Sequence, residues 1–69
     1  MNKENILTEL EENLNKMQEA LNSAFIESSK FFKGNKAAGT RLRKSMQDIK
    51  TMAQSVRTIV SDVKNTNNE

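Results

Sequence analysis

The side chains best suited to chemistry in this sequence are gathered in one stretch, residues 31–44, which reads FFKGNKAAGTRLRK. It sets Lys33, Lys36, Arg41, Arg43 and Lys44 around Gly34, Asn35, Gly39 and the small pair Ala37 and Ala38, with Lys30 just before it and Lys50 just after. No acid occurs anywhere from Ser28 to Gln47. Six cations without a neutralising carboxylate, around residues too small to block a backbone, suit an oxyanion and above all a chain of phosphates. The bland alternative is a solvated helix face, the usual fate of a charged run, but such faces normally interleave both signs.

Other chemistry has little to work with. The chain contains neither cysteine nor histidine, so disulfides, thiolate metal sites and the commonest general base are all missing. With 69 residues, 35% hydrophobic content and three aromatics, only a thin core can form, well short of what a catalytic pocket requires. An enzyme is not expected, nor a cofactor, a metal or a small-molecule substrate. The glutamates of the first half do not converge with acids of a second segment, and read as a solubilising face that repels a polyanion from the wrong side.

Net charge is only +2, yet it is unevenly spread. Residues 1–29 carry two lysines against six glutamates, whereas residues 30–64 carry nine Lys or Arg against Asp48 and Asp62. Such asymmetry points to a polyanionic partner met by one end or face. No apolar run approaches the roughly 18 to 20 residues that span a bilayer, and the opening MNKENILTELEENL is too acidic for a signal peptide, so a cytoplasmic protein is expected.

Two elements must position the cations. In the first half Leu7, Leu10, Leu14, Met17, Leu21, Ala24 and Phe31 recur at spacings of three and four, a heptad seam interrupted only by Ser28. In the second half Ala38, Leu42, Ser45, Ile49, Met52, Val56, Ile59 and Val63 repeat the pattern, with Met46, Ala53 and Val60 widening the stripe. No proline interrupts either half. The spacing predicts an all-α chain: one helix near 3–33, a second near 36–64, and a frayed polar tail over 65–69. Residues 1–64 form a single helical-hairpin domain in this reading.

Gly34 suits the left-handed residue that ends a helix, and Asn35 suits the N-cap of the next. A link this short makes the helices antiparallel. The competing arrangement is one continuous helix with Gly34 inside it, at a cost of about 1 kcal/mol. Two helices leave one edge of each stripe wet, so a homodimer forming a four-helix bundle is expected. Ala20, Ala24, Ala37, Ala38 and Ala53 permit close approach, and Met17, Met46 and Met52 fill the seams.

On a wheel with Lys36 at 0°, Thr40, Gln47, Arg43 and Lys50 fall within about 40° of it, opposite Leu42 and Ile49. Arg41 flanks the seam and Lys44 flanks the basic stripe. The first N–H groups of the second helix add partial positive charge beside it. Gly39 admits two readings, close helix packing or backbone approach to phosphate. Phe31 and Phe32 are read as plugs at a helix end rather than as bases' stacking partners. The candidate binding set is therefore Lys30, Lys33, Gly34, Asn35, Lys36, Gly39, Thr40, Arg41, Arg43, Lys44 and Lys50. Nothing in it reads bases, and the residues alone do not separate DNA from RNA. A coiled-coil adaptor using only the seam is the principal alternative. A membrane-surface module would need Trp or exposed apolar residues on the basic face, which that face lacks.

The stretch KGNKAAGTRLRKSMQDIKTMAQSVR, residues 33–57, resembles the core of the bacterial linker-histone-like family, the chlamydial-type histone-like proteins, with their KGNKAAG-x-R-x-RK block followed by an amphipathic helix. The resemblance implies a nucleoid-associated, DNA-binding protein, with Lys33, Lys36, Arg41, Arg43 and Lys44 as the matching basic positions and Gly34, Asn35, Ala37, Ala38 and Gly39 as their frame. Longer members carry a lysine- and alanine-rich tail, whereas this sequence ends in NTNNE. A short, tail-less member of this kind implies modest, shape-blind binding rather than strong compaction.

Overall fold

The computed structural model describes residues 3–66 and places them in two helices, α1 (Lys3–Phe32) and α2 (Lys36–Thr66). Among the described residues there is no strand, as the 3–4 spacing of apolar residues requires. The helices lie side by side along a body of 54 × 17 × 13 Å. α2 runs two residues past the end read from the sequence, through Asn65 and Thr66; the rest of the expected frayed tail, residues 67–69, lies outside the described residues.

The turn follows from two residues. Gly34 has φ 105°, a conformation that costs an L side chain strain and a glycine nothing. Around it the Asn35 N–H reaches back to the Lys30 carbonyl and the Gly34 N–H to the Phe31 carbonyl, both at 3.0 Å, which closes α1 with the paired bonds of a Schellman cap. Asn35 then opens α2, its Oδ1 accepting the Ala38 N–H at 3.1 Å. One residue thus ends one helix and starts the next, leaving no slack for any geometry but a reversal.

The contact line between the helices corrects the expected seam. In α1, Ile6, Leu10, Asn13, Met17, Ala20, Ala24 and Glu27 turn toward α2, while Leu7, Leu14 and Leu21 remain 55%, 51% and 47% exposed along its edge. In α2, Leu42, Ser45, Ile49, Met52, Val56, Ile59 and Val63 form the line as expected, with Met46 and Val60 exposed beside it. Among the described residues only Ala24 and Ala38 are buried. Both are alanines, while Leu7, Leu14 and Leu21 sit on the flank. Phe31 packs its ring over Gly39, where an added Cβ would meet ring carbons at 2.7 and 2.8 Å. Phe32 is no plug: it is 90% exposed. Ala37, expected in the close approach, is also exposed.

Because antiparallel helices progress in opposite senses, positions one step past the contact line on each helix share one edge of the hairpin. Leu7, Leu14 and Leu21 therefore line the same edge as Met46, Ala53 and Val60. The opposite edge is polar, a groove lined by Lys16, Ser23, Ser45 and Asp48 among others.

Candidate nucleic-acid interface

The turn brings the basic residues of both helices to one end. Lys30 and Lys33 arrive from the end of α1, Lys36, Thr40, Arg41, Arg43 and Lys44 from the start of α2, and all are exposed. Lys50 continues their line two turns further along. Gly34 and Asn35 lie at the tip, exposed, while Gly39 is half-buried beneath Phe31. Of its two readings, the geometry carries helix packing. The cap also takes up one helix N-terminal donor, since the Ala38 N–H is held by Asn35, leaving those of Lys36 and Ala37 at the first turn.

Two of the cations are not uncompensated. Arg41 donates through Nε to Glu27 Oε2 at 2.6 Å and through Nη2 to Oε1 at 3.2 Å, a forked pair across the helices. Lys44 Nζ lies 3.0 Å from Asp48 Oδ1 within α2. The acid-free window of the sequence is thus bounded by two acids that reach into it. Arg41 is half exposed and Glu27 is 15% exposed, so this pair doubles as a register pin, whereas the Lys44 pair is an exposed contact of the weak i, i+4 kind. Lys30, Lys33, Lys36, Arg43 and Lys50 make no ion pair within the hairpin among the described residues.

The fork perturbs both partners. Its hydrogen bonds hold the Glu27 carboxyl below its ordinary 4.5, helped by the charges of Arg41 and Lys30 and opposed by partial burial. The same bonds raise Arg41. A carboxyl that ionises more readily folded than unfolded contributes stability in full above about pH 4.5 and loses it as pH falls through the lower folded value. Thermal midpoints between pH 7 and 3 should therefore fall on acidification, and the acid limb should be shallower in Glu27→Gln. An identical limb in the variant would remove the pair's role.

Sequence reasoning missed a longer pattern. Lys36, Arg43, Lys50, Arg57 and Lys64 recur at every seventh residue of α2 and run along one face beside the Met46, Ala53 and Val60 edge. At 1.5 Å per residue the row is about 42 Å long. The seven-residue repeat was visible in the sequence, but only its first three members were noted.

A family model described as histone H1-like protein Hc1 matches residues 11–66, most of both helices and the whole turn. The chain belongs to the histone H1-like Hc1 family. That family is one of histone-like DNA-binding proteins, which fits the basic turn and the two-helix body. No curated protein and no solved structure matches the chain. Among the described residues no helix is long and apolar enough to cross a membrane, and no group of acids could hold a metal ion.

Proposed function

We propose that this chain is a nucleoid-associated protein that binds DNA through the sugar–phosphate backbone, without reading bases, and does so as a homodimer. The supporting observation is the basic turn: Lys30, Lys33, Lys36 and Arg43 gather there, with Lys50 two turns further along α2, all exposed and in no ion pair among the described residues. Gly34, Asn35, Thr40 and the first free N–H groups of α2 frame them, and Arg41 and Lys44 contribute less because each shares its charge with a carboxylate. Lys, Arg and backbone donors address phosphates, and Arg41, whose guanidinium is held in a fixed orientation, already spends its fork on Glu27. The homodimer is favoured by the apolar edge, whose half-exposed leucines a second copy would cover. An adaptor role would use that edge alone and leave the cations without a task.

The binding is driven by counterion release, so its strength is written in its salt dependence. With four to five phosphate contacts per hairpin, log K for any generic duplex should fall with log salt at a slope of about −4 to −5 per hairpin engaged. Duplex RNA of equal length run in parallel reports the preference between the two nucleic acids. A salt-independent affinity, or no binding at about 50 mM salt, would falsify the proposal.

A further inference from the structure

We propose that the second copy packs on the apolar edge with its turn at the same end as the first, so that the dimer carries both basic corners at one pole. This rests on the homodimer reading above and adds its geometry.

A twofold axis that stacks two such edges can run along the helices or across them. With the axis along the helices, α1 of each copy lies against α2 of its partner and both turns share one end. With the axis across them and the hairpins in full overlap, α1 meets α1, α2 meets α2, and the turns lie at opposite ends. The apolar edge itself serves either. The side chains rimming it do not.

The Glu27–Arg41 pair fixes the register, placing residue n of α1 level with residue 68 − n of α2. On α1 the rim outside the leucines is Glu11, Gln18, Phe25 and Phe32; on α2 it is the seven-residue row of cations. An axis along the helices preserves levels. Glu11 then faces the partner's Arg57, Gln18 the partner's Lys50, Phe25 the partner's Arg43 and Phe32 the partner's Lys36. Every pairing is complementary: carboxylate to guanidinium, amide oxygen to ammonium, and two aromatic rings to cations. The crossed arrangement instead sets Lys50 near the partner's Lys50 and Arg43 near the partner's Arg57, like charges against a half-dry edge. It also leaves Phe25 and Phe32 without cations, although at 70% and 90% exposed they are the most exposed large apolar side chains among the described residues.

The same-end arrangement divides the row of cations by task. Arg57, far from the turn, is neutralised by an acid and orients the partner. Lys36 and Arg43, near the turn, lie over rings, which shelters apolar surface without cancelling charge. Both basic corners then face one way, so a dimer grips a single duplex with two hairpins instead of bridging two duplexes.

The chain contains no cysteine, so introduced thiols are unambiguous. Gln18→Cys and Lys50→Cys, both at exposed positions, are mixed and treated with a short bismaleimide, after circular dichroism confirms that each is helical. The expected product is a mixed dimer of one Gln18→Cys and one Lys50→Cys chain, with little linkage in either protein alone. Linkage of Lys50→Cys to itself, no mixed product, or a monomeric mass in sedimentation each overturns the proposal. Charge reversal supplies a second readout: Glu11→Arg or Arg57→Glu alone should weaken self-association about threefold to tenfold at low salt, and the two together should restore it. Failure to restore it counts against the pairing. None of these measurements contains DNA, so their failure leaves the backbone-binding proposal to its own salt titration.

Discussion

Replacing Lys33, Lys36, Arg43 and Lys50 together by alanine should lower affinity for generic duplex DNA about a thousandfold at roughly 0.1 M salt, with the salt slope reduced by about 3 to 4. Lys33, Lys36 and Arg43 stand exposed at the turn end and Lys50 two turns along α2, none of them in an ion pair among the described residues, so each is free to displace a condensed counterion from the duplex. Every counterion released is worth about 0.9 in the exponent, and the losses multiply because the contacts act in parallel. Arg41→Gln and Lys44→Gln form the matched control. Their charges are already shared with Glu27 and Asp48, so the pair should change both affinity and slope by less. Circular dichroism separates a binding defect from unfolding, and an unchanged slope in the fourfold variant would place the DNA contact elsewhere.

Ala38→Leu should lower the melting midpoint by about 5 to 20 °C, whereas Ala37→Leu, one residue earlier, should leave its melting curve within a few degrees of the parent. Ala38 is fully buried between the helices, and Ala37 is exposed. Alanine and leucine differ little in helix propensity, so any difference between the two variants is tertiary. Forcing extra methylenes into a packed site costs about 1 to 3 kcal/mol. A hairpin in which two alanines are the only buried side chains among the described residues has about 3 to 5 kcal/mol at most to lose. Helicity at 222 nm followed through a thermal scan reads both variants, and coincident curves would mean that the helices separate there at little cost.

The hairpin was legible because its turn is written in adjacent residues: a glycine that tolerates positive φ and an asparagine that caps. The face of α1 was harder to place. Two lines with the same 3–4 spacing share Leu10, Met17 and Ala24; one adds Leu7, Leu14 and Leu21, the other Ile6, Asn13, Ala20 and Glu27. Counting hydrophobic residues selects the first. The structure uses the second, in which Glu27 finds Arg41 across the gap. That pair escaped notice for a related reason. Its acid lies 14 residues before its base, outside a window counted along the chain but level with it once the chain has reversed. The structure leaves the basic residues exposed, but which of them are neutralised depends on register, which composition does not carry.

The proportions of the body give the basic tip a further meaning. A hairpin 54 Å long and 17 Å across that touches DNA with its end covers about five base pairs at 3.4 Å per step, whereas one lying along the duplex would cover about sixteen. End-on attachment therefore permits a dense coat, with each copy projecting radially like a bristle. Neighbouring duplexes coated in this way would be held apart by the height of the pile, so that crowding would set the spacing between DNA strands without any cross-link between them.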